Sequence, residues 1–253
     1  MSKKTDYIAV FDSGVGGISV LRELVKLMPG ERFLYFGDSA NAPYGTRPVE
    51  QIRQLTLDAA EALVQRGIKA LVVACNTATA AAIDLLRSTY KGLIVIGIEP
   101  ALKVAADRFS HGTVGVLATP ATLQQEKFAR QADRFPGLQI TQIPLPGLVE
   151  LVEAGKGDTD EAEAFIRPLL QSYAGKLDAV VLGCTHYPFA ANRIARILGE
   201  KTVLLDGSAG TARQTKSRLE EAGLLENGEG SVTMENSLNT QEVLQLSMQL
   251  LAL

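Results

Sequence analysis

Both cysteines of this 253-residue chain stand in the same local setting. Cys75 closes the apolar part of ALVVACNTATAAA, and Cys184 closes that of AVVLGCTHYPFAA. Each follows a short strand-like stretch of small and branched residues, and each precedes a helix-forming segment. A thiol where a strand enters a helix N-terminus faces unpaired backbone N–H groups, which favour the thiolate. Two such thiols in matching surroundings suit a pair of acid/base groups better than one nucleophile. The bland role of a lone buried cysteine, a small core hydrophobe, leaves the polar and mutually similar flanks unexplained. A disulfide would need Cα atoms within about 7 Å of each other and an oxidising compartment. Two cysteines without a secretory leader instead point to a reducing cytoplasm. No C-x-x-C pair exists for a thioredoxin-like site, and Cys75, Cys184 and His186 have the wrong spacing for the common zinc sites.

Other residues gather around this pair. The glycine-rich FDSGVGGIS follows the first strand and offers Gly14-x-Gly16, with Ser19 where a third glycine of a dinucleotide fingerprint would fall. Asp38 ends the second strand, about where such a fold puts a ribose-binding acid. An NAD-binding oxidoreductase is therefore a live alternative. Against it, Asp12 and Ser13 stand where a pyrophosphate needs uncharged donors, and an Asp there better suits an ammonium group or a thiol's partner. The loop GDSANAPYGTRP, with Tyr44, suits a wall over a cleft. His186 lies two residues from Cys184, near enough to share its site. His111 sits in the turn SHGT and carries no signal, and Glu153 reads by spacing as a surface acid at a helix end.

The elements that must position these residues alternate. Tyr7–Phe11, Arg32–Phe36, Ala70–Ala74 and Leu93–Ile98 read as strands, and after Glu99-Pro100 the pattern restarts with 113–117, 139–144, 179–182 and 202–205. Between them lies a helix over Pro48–Arg66, with Ile52, Leu55, Ala59, Ala62 and Leu63 on one face, Thr46 as cap and Gly67 as stop. Thr119-Pro120 opens another helix, and Asp160–Tyr173 forms one perturbed by Pro168. This βαβα order implies parallel sheets covered on both faces. Cys75 follows Asp12 by about the interval at which Cys184 follows Thr119. The chain thus divides into two similar α/β lobes, 1–98 with 207–253 and 99–206, which bring strand ends to a shared cleft. The tail from Asp206 holds two helices and a short strand at Ser231–Met234, expected to pack back on the first lobe. A net charge of −3 with interspersed Lys and Arg argues against nucleic acid, and no apolar run is long enough to span a bilayer.

FDSGVGGISVL, YFGDSANAPYGTRP, VVACNTATA, LATPAT, LVELVEAG and VVLGCTHYP, in this order, strongly resemble the glutamate racemases of bacterial cell-wall synthesis. The likeness runs to about residue 212; the last forty residues match loosely. One departure is Leu145 before Pro146, where many relatives carry a Cys that is not a catalytic base. The resemblance implies a cytoplasmic, cofactor-independent homodimer that racemises L-glutamate to D-glutamate for peptidoglycan, with no metal. It makes Cys75 and Cys184 the two catalytic bases, with Asp12 assisting Cys75 while Glu153 and His186 assist Cys184. Ser13, Tyr44, Gly45, Asn76, Thr77, Thr119 and Thr185 would hold the carboxylates and the amine. An aspartate racemase of the same superfamily is the nearest alternative, since side-chain length selection lies in pocket dimensions. Inverting a stereocentre needs one group to remove the α-proton and another to deliver one to the opposite face. Thiols suit both roles, because a free Cys titrates near working pH.

Overall fold

The computed structural model describes residues 2–98, 101–124, 129–130 and 132–253. Within them the chain forms two all-parallel sheets. The first has the order β4-β3-β1-β2-β9, from Tyr7–Asp12 (β1), Arg32–Gly37 (β2), Ile68–Val73 (β3), Ile94–Gly97 (β4) and Ser231–Asn236 (β9). The second has the order β6-β5-β7-β8, from Gly112–Ala118 (β5), Leu138–Pro144 (β6), Ala179–Leu182 (β7) and Val203–Asp206 (β8). Helices cover both sheets, as the βαβα order predicts. Strand limits differ from those expected by a residue or two, while residues 99 and 100, where the pattern restarts, lie outside the described set.

Why these strands form is visible in their alternation. Ile8 and Val10 enter one apolar core of the first sheet, while Ala9 and Phe11 enter the core on its other face. In the second sheet Val114 and Val116 face one core and Leu117 the other. A strand buried on both faces must be apolar throughout, hence runs such as IAVF and ALVV. The carboxyl ends of β1 and β3 in one sheet, and of β5 and β7 in the other, supply the residues that meet in the cleft.

Two details differ from expectation. Helix Val49–Gln65 begins after Pro48, which occupies the cap position, and Thr46 sits in the preceding turn with its hydroxyl on the Pro43 carbonyl oxygen. A residue before proline is held extended, as Arg47 is, so the chain cannot turn helical earlier. Gly67, at φ 76°, ends the helix as expected. On its buried face Thr56 and Ala60 join Ile52, Ala59 and Leu63, while Ala62 is exposed. Helix Asp160–Leu170 carries Pro168 in its last turn and gives way to a tighter turn over Gln171–Tyr173.

The C-terminal segment packs back on the first sheet. Strand β9 pairs in parallel with β2, from Arg32 opposite Ser231 to Gly37 opposite Asn236. Helices Ser208–Glu221 and Gln241–Ala252 both pack on helix Ile18–Leu27. At the amino end of this sheet, Lys69 is buried and its Nζ meets Glu31 Oε2 at 2.5 Å and the Leu224 carbonyl at 3.1 Å, and also donates to the Lys4 carbonyl. Glu31 Oε1 accepts the Glu226 N–H at 2.8 Å. One ion pair thus ties the N-terminus, β2, β3 and the C-terminal segment together. Removing one partner leaves the other charge buried and unpaired. Glu31→Ala should therefore cost about 3–5 kcal/mol of stability, read from urea unfolding curves.

Candidate active site

Cys75 ends the connection from β3 and is itself the cap of helix Asn76–Thr89, its Sγ accepting the Ala78 N–H at 3.4 Å. Ser13 Oγ lies 3.4 Å from the same sulfur. The expected thiolate at this helix N-terminus does not survive burial. Desolvation, reinforced by the nearby Asp12 carboxyl, pushes the Cys75 pKa up to about 12 against the Ser13 and Ala78 contacts. Cys75 is a thiol.

Cys184 differs. After β7 the chain makes a short turn over Tyr187–Ala190, and helix Ala191–Leu198 starts only beyond it. The sulfur has a side-chain partner instead, His186 Nδ1 at 3.7 Å. On the other side of the ring, Nε2 lies 2.5 Å from Glu153 Oε1. Glu153 also accepts the Val15 N–H at 2.7 Å on Oε1 and the Ser39 hydroxyl at 3.0 Å on Oε2. Burial opposes its charge, yet these donors and the imidazolium hold its pKa below the usual carboxylate value. Burial likewise opposes the charged imidazole, but Cys184 and Glu153 keep the His186 pKa well above its ordinary value. Cys184 therefore faces a cation, and Cys75 faces an acid.

Asp12, at the tip of β1, is fully buried, and desolvation raises its pKa. Its oxygens accept from the Gly14 N–H at 3.0 Å and the Thr185 hydroxyl at 2.9 Å. Thr185, expected on a substrate, here bridges the cleft to Asp12. Ser19, the residue that breaks the dinucleotide fingerprint, donates to the Thr185 carbonyl at 3.0 Å. The two glycines of that fingerprint have a different purpose. A Cβ on Gly14 would stand 1.9 Å from Glu153 Oε1, and one on Gly16 would stand 2.3 Å from His186 Nδ1. The loop is glycine-rich so that the Glu153–His186 pair can lie against it, in space a pyrophosphate would otherwise need. Asp38, the candidate ribose acid, accepts the Tyr44 hydroxyl at 2.7 Å and fixes that ring over the cleft.

These groups enclose a cavity of about 20 Å³, room for about one water. Its lining includes Cys75, Cys184, His186 and all seven residues expected to hold a ligand: Ser13, Tyr44, Gly45, Asn76, Thr77, Thr119 and Thr185. Asp12 and Glu153 stand one layer behind. Pro43 and Val149 also line it; neither type carries polar chemistry that a sequence pattern could flag. The hydroxyls of Thr77, Thr119 and Thr122 form a triangle with separations of 3.2, 3.1 and 3.0 Å. Thr119 also caps helix Pro120–Leu123, as Thr-Pro predicts. Asn76 Oδ1 is buried and has no hydrogen-bond partner among the described residues. An orphan acceptor in a closed polar pocket is suited to a ligand's N–H. This volume is smaller than an amino acid, so a ligand of that size needs the lining to move apart.

A two-sheet α/β protein with one thiol from each half facing a shared polar pocket is the class that fold and site define. The Asp/Glu/Hydantoin racemase family model matches residues 8–215, and the chain belongs to this family. Glutamate racemase of Clostridium botulinum is 44% identical over 255 residues, covering 99% of each chain. Among solved structures, glutamate racemase of Thermus thermophilus, in complex with β-chloro-D-alanine, is 36% identical with a TM-score of 0.85, covering 98% of this chain and 94% of that one. That of Francisella tularensis, in complex with D-glutamate, is 29% identical with a TM-score of 0.85, covering 99% and 95%.

The asymmetry of the thiols has a direct readout. In Cys184→Ser the sole thiol is Cys75, and with a pKa of about 12 it stays protonated. Thiolate absorbance should be absent up to pH about 9, whereas an ordinary cysteine, with a pKa of about 8.5, would be mostly ionised there.

Proposed function

We propose that this protein interconverts L- and D-glutamate by proton transfer between two thiols at the α-carbon. The observation that carries the reading is the pairing of two differently supported thiols, from different sheets, on one closed pocket. Relatives named glutamate racemases along the whole chain, one of them solved with D-glutamate, supply the substrate.

In one direction Cys184, as a thiolate beside the charged His186, takes the α-proton and becomes a thiol. The carbanion left behind is flattened and negative, and Cys75 gives its S–H proton to the opposite face, becoming the thiolate. The other enantiomer runs the steps in reverse, so each cysteine is base once and acid once. Asp12 beside Cys75 raises that thiol's proton affinity and makes its thiolate a strong base. Glu153 orients His186 and holds its proton on Nε2. Asn76 Oδ1 takes the substrate ammonium, while Ser13, Tyr44, Thr77, Thr119, Thr185 and the backbone at Gly45 hold the carboxylates. Stabilising the carbanion falls to hydrogen-bond donors fixed in place before reaction, which lose nothing to reorganisation. Closure of the sheets excludes water and strengthens each of these interactions.

The functional unit we infer is a cytoplasmic homodimer whose D-glutamate enters peptidoglycan. Its lobes comprise residues 1–98 with 207–253, and 99–206.

The test uses the purified chain with L-glutamate, and separately L-aspartate, in deuterated water without added cofactor. Loss of optical rotation together with deuterium at the α-carbon is expected with glutamate. Retained rotation without exchange over a range of pH would overturn the proposal, and faster turnover of aspartate would reassign the substrate. Cys75→Ser and Cys184→Ser should each lower racemisation by about 10²–10⁴-fold or more. Near-normal activity in either would remove the two-thiol assignment.

A further inference from the structure

We infer that Ser39, held by Asn236 from the C-terminal strand, is a positioning residue for the Glu153–His186–Cys184 relay. The inference rests on the reading above and adds a residue from beyond the family match, which ends at 215. Asn236 is the last residue of β9 and is buried. Its Oδ1 accepts the Leu238 N–H at 3.0 Å, so its amide nitrogen is the end that faces Ser39. That nitrogen donates to Ser39 Oγ at 2.9 Å. A hydroxyl accepting on one side directs its hydrogen to the other, here Glu153 Oε2 at 3.0 Å. The backbone N–H of Leu238 thus sets the polarity of a chain running through Asn236, Ser39 and Glu153 to His186 and Cys184. From Leu238 through Asn236 and Ser39 each link donates toward Glu153, the carboxylate that must stay ionised to hold the imidazolium.

Other titratable groups lie around the Glu153–His186 pair. His186 and Cys184 come from the segment after β7, Asp12 from β1, and Tyr35 from β2, its hydroxyl donating to the Gly14 carbonyl at 2.6 Å. Across the groove beside Ser39 stand Glu150 of the same helix and Glu242 of the C-terminal helix. Of these only His186 donates to Glu153; the acids oppose its charge. The Ser39 hydroxyl and Val15 N–H are the other donors. Losing Ser39 makes Glu153 bind a proton more readily, so the acid-side titration of the Glu153–His186 pair moves to higher pH.

Two quantities are measured on the full chain: the pH dependence of kcat/KM for glutamate, and the imidazole NMR titration of His186. The chain has only two histidines, so His111→Gln assigns the signals. The enantiomers have equal free energies in solution, which makes kcat/KM equal in both directions, and either serves. Ser39→Ala should raise the acid-side step by about one pH unit in both readouts, with about tenfold loss of kcat/KM on the acid side and recovery at higher pH. Ser39→Thr keeps the hydroxyl and should restore the profile. Asn236→Asp keeps volume and the Leu238 bond but draws the Ser39 hydrogen away, so it should shift the profile as Ser39→Ala does. The double variant should shift no further than Asn236→Asp alone, which already carries the added charge and has lost the Ser39 hydrogen. Unmoved steps in Ser39→Ala, or additive shifts in the double variant, would overturn the inference; if Ser39→Ala fails to fold, unmoved steps in Asn236→Asp do so. A wild type that leaves glutamate unchanged while the His186 step still moves in Ser39→Ala removes the substrate reading and leaves the relay standing.

Discussion

A carboxylate half-buried between two sheets has to be met by donors, and Glu153 is met from three directions. His186 reaches it from the segment after β7, Val15 from the loop after β1, and Ser39 from the loop after β2. Two of these donors belong to the first sheet's loops, while Glu153 itself ends helix Leu148–Glu153 beside the second sheet. The closed arrangement of the sheets and the ionisation of this acid are therefore one condition. The glycines at 14 and 16 follow from it, since any side chain there would overlap the pair.

Matching sequence around the two cysteines does not produce matching electrostatics. Cys75 receives a backbone N–H and a serine hydroxyl but sits beside a second buried acid, and desolvation dominates. Cys184 is equally buried yet has an imidazole with its own carboxylate. A helix N-terminus contributes a fraction of a charge within one turn, too little to offset full burial. A whole cation at the sulfur does much more. The two thiols thus sit beside an acid on one side and a cation on the other.

The pocket between them is nearly filled by its own side chains. Thr185 bonds Asp12, Thr77 bonds Thr119 and Thr122, and among the buried side-chain atoms of the described residues only Asn76 Oδ1 is left without a partner. Polar groups that satisfy one another across a closed cleft carry little desolvation cost while the site is empty. The orphan acceptor is the exception, and its cost is recovered only by a donor from outside the chain.

The alternation of strands and helices, the parallel sheets and the thiols at strand ends were legible in sequence because they depend on local periodicity and on short apolar runs, whereas the order of strands within each sheet was not. Thr119 as a cap and Gly67 as a stop were legible for the same reason: each acts within four residues. Thr46 was misread because Pro48 overrode it. Glu153 by spacing alone looked like a surface acid, and only the motifs flanking it in the resemblance marked it. Nothing local distinguishes Ser39 or Asn236 from loop residues, since their partners lie 114 and 197 residues away in the chain. By itself the sequence determined two α/β halves, each with a cysteine at a strand end. Tertiary structure alone decided that Cys75 stays protonated and that Cys184 meets an imidazole, because burial and partners from distant segments, rather than local sequence, set the energy of a charge.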